Sequence, residues 1–283
     1  MNIQTVHKVY FSPAGSTALV ADRIAGLLAE TFQADLCIHD YTLPAGREEK
    51  MIFEKDSVVV WASPVYAGRL PNKLLDFVKT SFEGAGVPAI PVVVYGNRNY
   101  DEALAELAGI LREGRMRPFA AAAIPARHVF SDTLGKGRPD REDLEEIEAF
   151  AKAAAEKLKA AEGVENLSPV EVPGPYPPLA YYTPLKEDGT PAKFLKALPK
   201  IDPERCTGCG SCGSCCPMDS VKIQEGKLSG ISGICIKCQA CILRCPAGAI
   251  AIEDEAFQSH KKMLEKTFIK RAKASFLLGG CTI

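Results

Sequence analysis

Cys206-Thr207-Gly208-Cys209-Gly210-Ser211-Cys212-Gly213-Ser214-Cys215-Cys216-Pro217 is the stretch from which the rest of the chain is best read. It spells C-x2-C-x2-C-x3-C-P, and the unit returns 29 residues later as Cys235, Cys238, Cys241, Cys245 and Pro246. Val221 recurs as Ile250 at the same offset, so the repeat extends beyond its cysteines and predicts a small domain with pseudo-twofold symmetry. Nine of the 11 cysteines fall in this interval; only Cys37 and Cys281 lie outside it. A secreted disulfide scaffold spreads its cysteines along a short chain, so this clustering reads as metal ligation in a reducing compartment. Structural zinc asks for four thiolates in two separated C-x2-C pairs. Eight thiolates in interlocked triplets fit iron–sulfur clusters instead.

Three cysteines at successive three-residue spacings wrap three corners of an iron–sulfur cube, and the Cys-Pro of the other copy supplies the fourth, as in bacterial two-cluster ferredoxins. One [4Fe–4S] cluster then takes Cys206, Cys209, Cys212 and Cys245, and the second takes Cys235, Cys238, Cys241 and Cys216. Cys215 also continues the every-third series. The second copy has Arg244 at that position and Pro217 follows Cys216, so Cys216 is read as the ligand and Cys215 as a small buried residue. Cys37 is expected in a strand core, and no role is assigned to Cys281.

Outward from residues 200–255 the composition changes on both sides. Residues 163–199 hold Pro173, Pro175, Pro177, Pro178, Pro184, Pro191 and Pro199, which break any long helix. Tyr176, Tyr181, Tyr182 and Phe194 make this stretch too apolar for a solvated tether, so it is expected to pack along the surface. Residues 256–283 carry six basic side chains against Glu265 alone, with Phe257, Leu264 and Phe268 at helical spacing. They read as a basic amphipathic helix, either packed on the protein's own body or docking an acidic partner.

Residues 1–162 alternate short apolar runs with helical periods. Strands are expected at Val6–Phe11, Asp35–His39, Ser57–Ala62, Pro91–Tyr95 and Phe119–Ile124, and helices at Thr17–Phe32, Pro71–Ser81, Tyr100–Glu113 and Arg141–Ala161. Apolar strands linked by crossover helices predict an α/β fold with a parallel sheet. Asp40–Asp56 gives the weakest helical signal of the connections.

With 283 residues, 47% hydrophobic and 24% charged, the chain has ample apolar surface for about two folded domains. Lys plus Arg number 34 and Asp plus Glu 35, a net charge of -1 that gives no reason to expect nucleic acid as a partner. No apolar run reaches the roughly 18 residues of a membrane span. Met1–Phe11 runs into a strand rather than a signal-type apolar core, so a cytoplasmic location is expected.

Three loops follow expected strands. Ser12-Pro13-Ala14-Gly15-Ser16-Thr17 sets hydroxyls and a glycine before a helix, where N–H groups and the helix dipole favour a phosphate, although Ser16 or Thr17 could equally be a plain N-cap. It lacks the lysine of NTPase loops, and no G-x-G-x-x-G follows the first strand. Ser63-Pro64-Val65-Tyr66-Ala67-Gly68 follows the third strand, and Gly96-Asn97-Arg98-Asn99-Tyr100 the fourth. Ligands of open α/β sheets bind at such strand ends, and two of these loops carry tyrosines able to flank a flat ring.

These loops resemble those of flavodoxin–ferredoxin fusion proteins. Ser12–Thr17 is similar to the family's T/S-x-T-G-N-T phosphate loop, with Ala14 for threonine and Ser16 for asparagine. Ser63–Gly68 resembles its isoalloxazine loop, Gly96–Tyr100 its G-N-R-x-Y loop, and Ala126–Ser131 its E-H-S-F-S segment, with Arg127 in place of an acid. The resemblance covers about residues 6–252. It implies a flavodoxin-like doubly wound sheet of five parallel strands in the order 2-1-3-4-5, a second small α+β ferredoxin domain, and FMN beside two [4Fe–4S] clusters. Ser12, Ala14, Gly15, Ser16 and Thr17 would hold the phosphate and Tyr66 and Tyr100 would flank the ring. Ser63, Pro64, Val65, Gly96 and His128 would line the site, with Asn97 and Arg98 tuning the flavin. The Ala67–Gly68 peptide would reorient towards reduced N5. The implied activity is low-potential electron transfer in anaerobic metabolism between unnamed redox partner proteins, with a homodimer possible. The alternatives are a flavin-dependent reductase fed by the ferredoxin half, and a redox-sensing or docking module using Cys215 and the basic tail.

Overall fold

The computed structural model describes residues 1–225 and 227–282, without the side chains of residues 281 and 282. The N-terminal domain is built on five parallel strands: β1 (Thr5–Tyr10), β2 (Asp35–Asp40), β3 (Ser57–Pro64), β4 (Pro88–Tyr95) and β5 (Ala120–Pro125). They lie side by side in the order β2-β1-β3-β4-β5, the doubly wound order of flavodoxin-like folds. β3, β4 and β5 are buried nearly throughout, as strands covered on both faces must be. Helices α1 (Ser16–Phe32) and α4 (Arg141–Ala160) cover one face, where Val20, Ile24, Leu28, Ile147 and Phe150 pack on Val6, Val58 and Val92. Helices α2 (Leu75–Thr80) and α3 (Ala103–Glu113) cover the other, around Trp61, Phe82 and Leu107.

The expected Pro71–Ser81 helix is shorter, a 3-10 turn at Asn72–Leu74 followed by α2. Asp40–Asp56 forms a 3-10 turn at Pro44–Arg47 and a short strand at Met51–Ile52 instead of a crossover helix. Gly46 explains the tight path, because a Cβ there would fall on the Asp40 carbonyl.

The cysteine-rich domain is two lobes related by the repeat. β6 (Lys200–Ile201) pairs with β9 (Ile250–Ala251), and β7 (Val221–Gln224) with β8 (Lys227–Ile231). Each lobe has a one-turn helix, α5 (Ser211–Ser214) or α6 (Ala240–Leu243), at equivalent repeat positions.

The tail differs from a single amphipathic helix. α7 (Glu255–Thr267) buries Phe257, His260 and Leu264, but β10 (Ser275–Leu278) then pairs antiparallel with β5, and β11 (Cys281–Thr282) pairs with β10. The five-stranded sheet is therefore extended by the chain's own C-terminal segment. Ala120–Ala123 present only methyl groups, and an edge of that kind is blunted by pairing. Helical spacing at Phe257, Leu264 and Phe268 says nothing about β10, whose pairing is a tertiary event. The return is fixed by a polar clamp. Asn97 Nδ2 donates to the carbonyls of Phe268 (2.8 Å) and Lys270 (2.9 Å), and its Oδ1 accepts from Ala272 N (3.1 Å) and Arg138 (3.1 Å). Arg138 in turn makes a two-point pair with the buried Asp143.

Residues 163–199 carry a 3-10 turn at Val164–Asn166 and a bridged turn between Leu185 and Pro191, and bury Leu167, Val170 and Phe194 against the body. Arg69 stacks over Tyr181 (4.5 Å) and Arg98 over Tyr182 (4.0 Å), while Tyr181 OH donates to the Leu70 carbonyl (2.9 Å). Planar guanidinium over a ring face is a favourable arrangement. Here it straps the segment across the strand ends.

Candidate functional site

A cavity of about 900 Å³ opens at the C-terminal ends of the parallel strands. Pro13, Ala14, Ser16 and Thr17 form one end of its wall, and Pro64–Ala67, Gly96, Arg98 and Ala126–Phe130 form its middle. The phosphate-loop end suits an anion. Gly15, at φ 92°, is the N-cap of the 17-residue α1, with no side-chain cap and no acidic residue in the first turn. The Ser16 and Thr17 N–H groups and the positive dipole end are thus left for a ligand. Ser16 and Thr17 lie within the helix rather than capping it, and Ser12 Oγ accepts from Ala18 N at 2.9 Å.

Tyr66 lines the cavity and packs on its other side against Cys215, Cys238 and Ala240. Burial, reinforced by the Cys238 and Cys235 thiols, pushes its phenol well above the usual range. Ala67 O is held by Tyr182 N (2.9 Å), so reorientation of the Ala67–Gly68 peptide requires that strap to let go. Gly68 sits at φ 81°, where a side chain is strained, and a Cβ there would push the Asp101 carboxylate aside. Gly96 lets the His128 ring approach; a Cβ there would lie 2.6 Å from His128 Cδ2. His128 Nδ1 accepts from Phe130 N at 3.2 Å, which leaves its proton on Nε2. Burial, then the charges of His260 and Arg98, pushes His128 down to about 3, so it is neutral near pH 7. Arg127 is held by Asp132 (2.8 Å) and by the Ser131 carbonyl (3.1 Å).

Other expected residues sit off the cavity wall. Asn97 is committed to the tail, and Tyr100 packs against Tyr95 with ring centroids 5.5 Å apart. Ser12, Ser63 and Gly68 are buried behind the wall, and Gly15 is exposed beside it at the head of α1. Conversely, Tyr181, Tyr182, Phe194, His260 and Leu264 line it from segments that sequence reading did not place there, and Phe130 joins them from the Ala126–Ser131 segment. The aromatic content of residues 163–199 was the only sequence signal for Tyr181, Tyr182 and Phe194.

The cysteines converge in two sets. One small cavity is lined by Cys206, Cys209, Cys212 and Cys245, the other by Cys235, Cys238, Cys241 and Cys216. Cys216 Sγ accepts from Ser220 N and Cys245 Sγ from Ala249 N, each at 3.3 Å and at equivalent repeat positions. Such N–H···S bonds are among the levers that set cluster potentials. Burial pushes the Cys238 and Cys241 thiols up to about 12, so positive metal is needed to hold them as thiolates. Cys215 lines neither cavity. It is 5% exposed and its thiol is raised by burial, which removes the premise of a reactive sensing thiol. Cys235 and Cys238 also line the large cavity, so strand-end loops and second lobe share one wall.

Residues 198–246 match the family model of the 4Fe-4S dicluster domain. An uncharacterized ferredoxin of Methanocaldococcus jannaschii is 36% identical over 61 residues, which is 21% of this chain and 37% of that protein. The match thus spans well under half of that relative's length. Among solved structures, a flavodoxin from the domain Archaea aligns with 56% of this chain and 99% of its own, at 18% identity and a TM-score of 0.38. The oxidised Flavodoxin 2 from Bacillus cereus aligns with 54% and 99%, at 19% identity and a TM-score of 0.39. At such values the N-terminal assignment rests on strand order and connectivity. The chain joins a flavodoxin-like α/β domain to a ferredoxin-type 4Fe-4S domain, a combination that supports an electron-transfer role.

Proposed function

We propose that this protein relays low-potential electrons between two [4Fe–4S] clusters and FMN, in the cytoplasm of an anaerobic metabolism, serving redox partner proteins. The observation that carries this reading is the shared wall: loops Pro13–Thr17, Pro64–Ala67 and Ala126–Phe130 face the Cys235–Cys238 loop across one cavity. Its volume lies within the range of small-molecule and cofactor sites. When bound, FMN takes up one or two electrons, whereas each cluster passes one. The chain's own residues do the rest. The α1 N-terminus holds the phosphate, Tyr66 fills the space between cavity and second lobe and excludes water, and Arg98 with Tyr182 closes the side. No helix among the described residues is long and apolar enough to cross a membrane.

The test is anaerobic purification followed by metal, sulfide and flavin analysis, with spectra before and after dithionite. About eight irons and one FMN per chain are expected. Four irons, or a flavin that no cluster can reduce, would overturn the relay. A reductase acting on its own substrate is the second reading. It is favoured by a cavity at the upper end of the usual range. A substrate-sized molecule that displaces no flavin yet perturbs its spectrum would select it.

A further inference from the structure

Away from the cavity and the cluster cysteines, one group of potential ligands converges in the N-terminal sheet. The parallel register of β1 and β2 sets His7 opposite Cys37, and His39 lies two residues further along β2, on the same face. His7 Nδ1 is 3.0 Å from His39 Nε2, and Cys37 Sγ is 3.5 Å from that nitrogen. All three donor atoms lie within 4.8 Å of one another. Tetrahedral zinc, with bonds of about 2.05 Å to nitrogen and 2.3 Å to sulfur, holds two nitrogens about 3.3 Å apart and a nitrogen and sulfur about 3.6 Å apart. Two of the separations are therefore near those of a closed ligand set.

A second observation points the same way. His7 Nε2, the nitrogen turned away from the group, is 2.8 Å from Glu54 Oε2. A carboxylate on the far nitrogen of an imidazole fixes its tautomer and aims the other nitrogen, as at histidine metal sites. His7 is 2% exposed, and the Phe53 ring stands edge-on to both imidazoles at 4.9 and 5.8 Å. β2 is the last strand on its side of the sheet, so an ion has access from the edge.

We propose that His7 Nδ1, His39 Nε2 and Cys37 Sγ bind one zinc ion, with Glu54 positioning His7 and the fourth position open to water. Binding forms a zinc–sulfur bond and releases the Cys37 thiol proton to solvent; nothing is oxidised or reduced. The ion would pin edge strand β2 to β1, and none of its ligands lines the flavin cavity.

Zinc alone is titrated into the cluster-loaded full-length protein under anaerobic conditions, after removal of loose metal. Bound zinc and iron are counted, and the zinc surroundings are read by X-ray absorption. One zinc per chain with one sulfur and two imidazole neighbours is expected. Cys37→Ala and His39→Gln should each weaken binding about 100-fold or more, and Glu54→Gln about 10-fold or more, with iron content unchanged. Zinc held by sulfur alone, no zinc retained, or equal retention by all three variants would overturn the site and leave His7, His39 and Glu54 as a hydrogen-bonded chain. Glu54→Gln touches no proposed ligand atom, so it decides the matter if a ligand variant loses iron or misfolds.

Discussion

The two lobes of the cysteine-rich domain come from one repeated unit, yet they meet different surroundings. In the first, Cys209 is exposed, Cys206 and Cys245 are half-buried and Cys212 is buried. In the second no ligand is exposed: Cys216, Cys235 and Cys241 are half-buried, and the buried Cys238 packs with Ile236 and Tyr66. Their loops bend at the same places with different residues. Gly208 and Gly210 take φ 73° and 71°, whereas their counterparts Lys237 and Gln239 take 57° and 63°. A side chain in the left-handed region costs about 1 kcal/mol that glycine does not incur. In the second lobe the side chains offset it: Lys237 Nζ donates to the Leu195 carbonyl at 2.7 Å, and Gln239 is 6% exposed. One copy stays open towards solvent, and the other accepts local strain to be held against the strap and the flavin cavity. On the proposed relay, electrons enter at the first lobe and leave through the second.

The largest expected effect comes from deleting one cluster at a time. Cys241→Ser should lose about four of eight irons and abolish flavin reduction by way of the clusters. Cys212→Ser should lose as many irons and block entry from a protein donor, while the remaining cluster still exchanges electrons with the flavin. Stopped-flow reduction of each variant, with iron counts, checks this, and equal flavin behaviour in both would erase the asymmetry. Next is Tyr66→Ala. Removing a fully buried aromatic ring costs about 3–5 kcal/mol, and the half-buried Tyr66 ring should cost less. The change should lower the melting midpoint and loosen flavin retention while leaving the iron count intact, because Tyr66 touches the second lobe without ligating it.

The two domains were unequally legible for the same physical reason that the lobes differ. Cluster ligands are fixed by spacing within a dozen residues, so Cys206–Cys216 and Cys235–Cys245 could be sorted into two sets from the sequence, and the same two sets line the two small cavities. Strand order was equally readable, since apolar runs between helices leave few topologies. The cavity wall was not. Tyr182, Phe194, His260 and Leu264 reach it from segments about 50 or more residues from the expected loops, and no local pattern places them at the cavity. The loop form of Asn97 suggests a flavin contact, but its amide holds Phe268, Lys270 and Ala272, the segment that leads into β10, a strand that only tertiary pairing reveals.

Exchanging the bends between lobes should give a smaller effect. Gly208→Ala puts a Cβ at φ 73°, for a loss of about 1 kcal/mol confined to the first lobe. Lys237→Gly relieves the equivalent strain but frees the second lobe from Leu195. Cluster-release rates under chelator should therefore rise in Gly208→Ala, whereas Lys237→Gly should alter flavin reduction more than cluster retention. The reverse pattern would mean that the bend, not the tether, distinguishes the lobes.

The smallest effect concerns acid, and it reports on the cavity that the second lobe helps to close. His128 is pushed from its ordinary 6.5 down to about 3, chiefly by burial. Between those values the unfolded chain binds a proton that the native ring refuses, so stability is full above pH 6.5 and falls as the pH drops through this window. The slope is no steeper than about 1.4 kcal/mol per pH unit, and His128 keeps some surface on the cavity, so about 1 kcal/mol between pH 6.5 and 5 is expected. His128→Gln removes the titrating group. The midpoint of flavin release on heating should fall less in the variant than in the wild type over that range. Identical pH profiles would place His128 in contact with bulk water, and the wall formed by Phe130, Phe194 and the second lobe would then be open in solution.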